Sequence, residues 1–422
     1  MNQSEVGWCW CLLLCNVDTL PIDHEVWQGY VAHLPRPDGE WLALGALEHC
    51  ELGEDHLDPL GELQRWLDRR TGIAFGVVSY DLRGHIEPTL GAHPDPAAPP
   101  VLAFFRPRTL LFRESGSWQV VHNHSPWPDD QLVHLAGKSA RPLAMKRIAL
   151  HPSISRERYL SDVGQLLEHI RIGDIYEVNY CQTFTADALP EDPYALWREL
   201  CRQTEAPMAG YFSIPGYALL CASPERYLQR HGNTIRSQPI KGTIRRGATP
   251  AEDAGLCEKL RNDPKEQSEN IMIVDLVRND LSRSALPGTV CVEELFGIHT
   301  FRTVHHMVST IRAEVPAATP FTQLLRDTFP MGSMTGAPKI SAMRLADRHE
   351  ALRRGWYSGS LGWIDDHGNF DFNVIIRSLC LDERRGVMTC SVGSAITIQA
   401  DAAREYDECL LKLEAIRCVL AG

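Results

Sequence analysis

Between residues 211 and 398 the chain strings extended segments together in long runs with helices interspersed, and this limits the possible folds more than anything else in it. "YFSIPGYALLCAS" (211–223), "TIRSQPIKGTIR" (234–245), "GWYSGSLGWID" (355–365), "FNVIIRSLCL" (372–381) and "VMTCSVGSAITI" (387–398) all read as strands. Strands in long runs, rather than in strict alternation with helices, point to an α+β fold with large antiparallel sheets. Helices fall between and after them. "SRERYLSDVGQLLEHIRIGD" places Tyr159, Val163, Leu166, Leu167 and Ile170 on one helical stripe that stops at Gly173. "IYEVNYCQTFTA" then alternates, with Tyr176, Val178 and Tyr180 on one face and Glu177, Asn179 and Cys181 on the other.

The texture changes near Ser155, which divides the chain into regions 1–150 and 151–422. The first region reads as strand-rich, with an amphipathic helix around Leu60–Leu67 and strands at "VLAFFRPRTLLF" and "SWQVVHN". "GAHPDPAAPP" (91–100) reads as a surface loop, because its prolines cannot hold regular structure, and 125–150 reads as a connection.

Composition removes several classes of function. A net charge of −12 opposes any general attraction to nucleic acid or acidic membranes, so an anionic substrate would need local positive charge. No apolar run reaches the roughly 18–20 residues of a membrane helix. "WCWCLLLC" follows an acidic start and lacks a small-residue cleavage pattern, so it does not read as a signal peptide. The thirteen cysteines form no CxxC pair, and Cys9 and Cys11 are too isolated for a zinc site. Reduced thiols in a cytoplasmic protein are the simplest reading.

Two helices carry acids at helical spacing. In "DPKEQSENIMIVDLVRNDLSR" (263–283), Ile271, Val274 and Leu281 mark the apolar side, while Glu266 and Glu269 share a face. The final helix repeats this with Glu405 and Glu408, and adds Lys412 one turn on. Either pair alone is common on solvated helices. Together, four acids without His or Cys partners suit a hard, oxygen-loving ion such as Mg²⁺. "GSMTGAPK" (332–339) lacks the spacing of a phosphate-binding loop, and His305–His306 reads as one packed and one exposed histidine.

"SPER" (223–226), "PIKGT" (239–243), "KEQSENIMIVDLVRNDL" (265–281), "VHHMVST" (304–310), "TGAPK" (335–339), "GWYSGSLGWI" (355–364), "NVIIRS" (373–378) and "EYDECLLK" (405–412) occur in this order. In this the chain resembles the chorismate-utilising enzymes densely over 155–420, and more loosely before that, through "GVVSYDL". The resemblance implies an anthranilate-synthase-like fold, with large antiparallel sheets forming a sandwich flanked by helices. Lys241 in "PIKGT" resembles the aminodeoxychorismate synthase branch, whereas anthranilate synthases typically carry alanine there. It implies that the lysine amine attacks C2 of chorismate as the C4 hydroxyl leaves, and that ammonia then adds at C4 and expels the lysine. Glu225 matches the acid that protonates the departing hydroxyl. Glu269 and Glu408 match Mg²⁺ ligands, with Glu266 and Glu405 acting through water. Tyr357 and Arg377 match residues that hold a substrate carboxylate, Gly242 and Thr243 a backbone and a hydroxyl contact, and Gly393, Ser394 and Ala395 a loop whose amides approach the substrate. His306 and Lys412 line the site.

A lysine at its ordinary pKa of about 10.4 is protonated and no nucleophile. Burial or a nearby cation is expected to favour its neutral form. Glu177 stands where amino-transferring members often have Gln and isochorismate-forming ones a water-activating Lys, which argues against isochorismate chemistry. Whether it tunes Lys241, receives a proton or is an inert strand residue stays open. Ala395 replaces a glycine of many members, and "WLALGALE" (41–48) is a poor match to the motif associated with tryptophan binding. No glutaminase nucleophile pair is recognisable, so the resemblance implies a separate glutamine amidotransferase subunit that supplies ammonia. Anthranilate synthase component I and a non-catalytic chorismate-binding scaffold are the competing readings.

Overall fold

The computed structural model describes residues 29–36, 39–69, 71–90, 98–137, 147–302 and 304–421. "WCWCLLLC", with Cys9 and Cys11, and positions 91–97 of the proline-rich stretch lie outside the described residues. Every strand pairing among the described residues is antiparallel, as the closely spaced strand segments imply. "YFSIPGYALLCAS" falls in a hairpin of Met208–Ile214 and Tyr217–Ser223, which turns at Gly216 with φ +88°. "TIRSQPIKGTIR" is split at Pro239, which has no amide hydrogen to give a ladder, into Thr234–Gln238 and Ile240–Arg245. Both halves pair with Val304–Glu314. The ladder of Glu177–Ala186 with Val387–Thr397 is continuous from Thr397 opposite Glu177 to Met388 opposite Ala186.

Strands from either side of residue 150 share ladders. Val31–Arg36 pairs with Met208–Ile214, and Ala74–Val78 with Ser360–Ile364. Their inner faces form one apolar layer that includes Phe75, Phe105, Phe212, Leu361 and Trp363, strand packed on strand. Helices cover the outer faces. Arg156–Arg171, Pro193–Thr204 and Ala402–Ala421 press Tyr159, Leu166, Trp197 and Ile416 onto Tyr180, Phe184 and Val392. Pro264–Ser282 presses Ile273, Val274, Val277 and Leu281 toward Ile235 and Ile311. Each fully buried side chain of this size contributes about 1.5–3 kcal/mol.

Four expectations are corrected. Ile271 is 52% exposed, because the buried stripe of its helix runs through Ile273 and Val277 instead. Tyr176 precedes its strand and is 66% exposed, while Glu177–Ala186 is buried on both faces, so alternation there does not separate wet from dry. The stretch 125–150 contains a helix, Asp129–Gly137. His305 and His306 are both buried, since one hydrogen-bonds Asp253 and the other Thr243.

Candidate active site

Lys241 faces inward because its strand slips register. Ile240 lies opposite Val308 and Thr243 opposite His306, so one extra residue is inserted between them, a β-bulge. Gly242 sits at the bulge with φ +89°, where a Cβ would stand 3.0 Å from Glu266 Oε2 and 3.1 Å from Leu260 Cδ1. A side chain at this position would be strained and crowded, and its absence lets Glu266 lie against the bulge. The Lys241 side chain is 10% exposed, and its Nζ donates a 2.8 Å hydrogen bond to Glu177 Oε1, on a side chain that is 2% exposed. The acids around the amine oppose the expected neutral form. Burial acts against the ammonium form, but the charges of Glu177 and Glu269, with Glu225 behind them, outweigh it and hold Lys241 above its ordinary range.

Glu225 sits in the short link between Tyr217–Ser223 and Arg226–His231, clamped through its backbone to Ser223 Oγ and to the amide of Val374. It is buried, and burial pushes its carboxyl up to about 7 against the opposing pull of Ser333, Lys241, the Ile240 amide and Arg377. A carboxyl that is half protonated near neutrality can donate a proton there.

Asp263 caps the helix that bears Glu266 and Glu269, accepting from the amides of Lys265 and Glu266. On the final helix, Ser394 Oγ donates to the buried Glu405, and Lys412 bridges Glu408 Oε1 and the Gly393 carbonyl, each at 2.8 Å. Burial and the neighbouring carboxylates raise Glu266, Glu269 and Glu405. Burial pushes Glu408 the same way, but Lys412 overrides it and brings the group below its usual range. Among the described residues no three acidic, histidine or cysteine side chains converge closely enough to hold a metal ion as they stand. The donors themselves suit one: four oxygen-bearing groups on two facing helices, three of them disfavoured as anions by burial and by one another.

Arg377 closes the other side. It is held at φ +52°, and no hydrogen bond to its guanidinium is formed among the described residues. Burial lowers its pKa against the counter-pull of Tyr357, Glu408 and Glu225. An unclaimed guanidinium beside a buried tyrosine is equipped to grip a carboxylate. Thr243 Oγ1 is 2.8 Å from His306 Nδ1, and His306 is kept neutral, lowered to about 3 by burial and by Arg377. Gly393, Ser394 and Ala395 lie opposite Cys181, Tyr180 and Asn179. A Cβ on Gly393 would stand 2.4 Å from Asn179 Oδ1 and 2.8 Å from Cys181 Sγ, so a side chain there would displace two buried neighbours. Ser394 spends its hydroxyl on Glu405, which leaves only its backbone for any ligand.

Sequence reasoning missed the brace behind the site. Arg354 is fully enclosed and makes two hydrogen bonds to Glu350, at 2.6 and 2.9 Å, and others to the carbonyls of Met334 and Asn179. Glu350 in turn accepts from the Cys181 amide. Glu and Arg four apart read as a solvated helical pair, so nothing in the sequence marked them. A hollow of about 340 Å³ over Arg226, Arg236, Gln238 and Glu293 holds none of the candidate residues, and its arginines are already paired with acids.

Residues 40–417 match the family described as chorismate binding enzyme. The chain is 41% identical over 291 residues to aminodeoxychorismate synthase component 1 of Klebsiella aerogenes, covering 68% of this chain and 64% of that protein. It is 39% identical over 264 residues to the Escherichia coli protein of the same name, covering 63% and 58%. The chain thus spans less than two thirds of either relative. Anthranilate synthase component 1 of Thermus thermophilus is 32% identical over 357 residues, 82% of this chain and 76% of that protein. The crystal structure of anthranilate synthase component I from Streptococcus pneumoniae superposes with a TM-score of 0.77 at 24% identity, over 90% of this chain and 92% of that one, and shows the fold to be shared.

Proposed function

The chain belongs to the chorismate-binding enzymes, and from that premise we propose that it is the large subunit of an aminodeoxychorismate synthase, a transferase that makes 4-amino-4-deoxychorismate from chorismate and ammonia. The observation that carries this reading is Lys241, a primary amine enclosed with the acids Glu177, Glu225 and Glu269 instead of reaching solvent. In the proposed reaction, Lys241 Nζ bonds to C2 of the substrate while Glu225 protonates the C4 oxygen, which leaves as water as the two conjugated ring double bonds shift together. Ammonia then bonds to C4, both double bonds shift back, and the bond from C2 to Nζ breaks. Arg377 and Tyr357 grip one substrate carboxylate, Thr243 and the 393–395 backbone fix the ring, and His306 and Lys412 line the cleft. Glu269 and Glu408 directly, and Glu266 and Glu405 through water, would hold a divalent cation such as Mg²⁺. When bound, that ion would supply positive charge for the second carboxylate. Ammonia comes from a separate glutamine amidotransferase subunit, for which ammonium salts substitute in vitro, and the product leads toward 4-aminobenzoate and folate. The cysteines among the described residues are all free, which supports a reducing, cytoplasmic setting, and none of the described helices is long and apolar enough to cross a membrane.

The test is mass spectrometry of the product formed from chorismate, Mg²⁺ and ammonium. The wild type is expected to give 4-amino-4-deoxychorismate and Lys241→Ala none. Anthranilate as the main wild-type product would favour the reading suggested by the Thermus thermophilus relative. Chorismate binding without turnover would favour a scaffold.

A further inference from the structure

Lys241 must lose a proton before its nitrogen can bond to carbon, and its Nζ is enclosed in an ion pair with the buried Glu177. Among the described residues one acceptor is hydrogen-bonded to Nζ: Glu177 Oε1, at 2.8 Å. Glu225 and Glu269 act on Lys241 through charge alone. The second oxygen of Glu177 is buried and accepts no hydrogen bond among the described residues. Two arginine pairs in this protein engage both oxygens of their acids. Asp371 takes Arg226 on both oxygens, at 2.8 and 3.0 Å, and Glu350 takes Arg354 in the same two-point manner. Glu177 thus keeps one enclosed oxygen free to carry a proton.

Resting on the synthase reading above, we propose that Glu177 is the proton acceptor for Lys241. It takes the ammonium proton along the existing hydrogen bond as Nζ bonds to the substrate, stores it while the covalent adduct lasts, and returns it when the adduct breaks. The transfer turns two buried opposite charges into two neutral groups and requires no movement of either side chain. Sending the proton to water instead would leave a buried carboxylate facing a neutral amine, with no cation beside it until the bond to C2 forms. The protons balance. Lys241 gives one to Glu177 and becomes a neutral amine. Its lone pair forms the bond to C2, and the C4 hydroxyl departs as water with the proton of Glu225. The nitrogen in the adduct is then a secondary ammonium. When ammonia bonds to C4, the electron pair of the C2–N bond returns to Lys241, leaving it a neutral amine that recovers its proton from Glu177. The new C4 ammonium passes one proton to Glu225, which restores the starting state.

The experiment follows the mass of the Lys241 adduct by rapid quench, with chorismate and Mg²⁺ but no ammonium, near neutral pH. Glu177→Gln should form the adduct about 10²–10⁴-fold more slowly, the usual share of a positioned base. Glu177→Ala should be similarly slow but accelerate in proportion to added formate, a carboxylate small enough for the vacated space, whereas Glu177→Gln should not respond. Wild-type rates in Glu177→Gln, or a loss in Glu177→Ala that formate does not relieve, overturn the proposal. Equilibrium chorismate binding identifies any variant that has lost its fold; should Glu177→Ala fail this, Glu177→Gln alone decides. A wild-type protein that forms no adduct would sink the synthase reading and this inference with it. Adduct formation unaffected in both variants would sink only the role of Glu177.

Discussion

At the scale of single residues, proton positions govern what the site can do. Glu225 can donate only while it holds its proton, and burial sets that limit at about 7. Turnover should therefore fall about tenfold per pH unit above that point. Glu225→Gln should flatten the alkaline limb at a rate about 10²–10⁴-fold lower, read from kcat between pH of roughly 6 and 9. Arg377→Lys replaces a planar fork by a point charge, and loss of one charge-assisted hydrogen bond is worth about 1.5–3 kcal/mol. KM for chorismate should rise about tenfold to a hundredfold with kcat less affected, the mark of lost uniform binding. Lys241 was legible because the run around it is distinctive. Its charge state was not, because that depends on acids at 177, 225 and 269 that only the fold brings together.

Among elements, the acid-bearing helix was readable almost to its ends. Asp263 was placed at its start and is its cap, and the final helix spans Ala402–Ala421. What failed was the facing of particular positions. Ile271 was assigned inward from a sparse pattern, since the buried side also includes the polar Asn270 and Asp280. The bulge at Lys241–Gly242 was equally hidden, because a one-residue insertion is defined only relative to the partner strand. Asp263→Ala should cost about 0.5–2 kcal/mol. Because the cap also orients the turn carrying Glu266, a lower Tm should be accompanied by weaker divalent-cation binding, measured by calorimetric titration. Unchanged cation affinity at reduced Tm would separate the cap from the acid cluster.

For the molecule as a whole, the antiparallel α+β architecture followed from the spacing of the strand segments, but the crossing of ladders over residue 150 did not. Pairing between Val31–Arg36 and Met208–Ile214 joins segments whose separation no local pattern records. Since strands of both regions share one apolar layer, the chain should unfold in a single calorimetric transition, and two resolved transitions would contradict this. The Thr397–Glu177 register also carries a cost in time. At roughly 5–20 residues per second on a ribosome, the strand beginning at Glu177 emerges on the order of ten seconds or more before its mate. Until then its edge is open to any other nascent chain, so yield in cells should depend on chaperone capacity and on slow translation more than the stability of the finished protein would suggest.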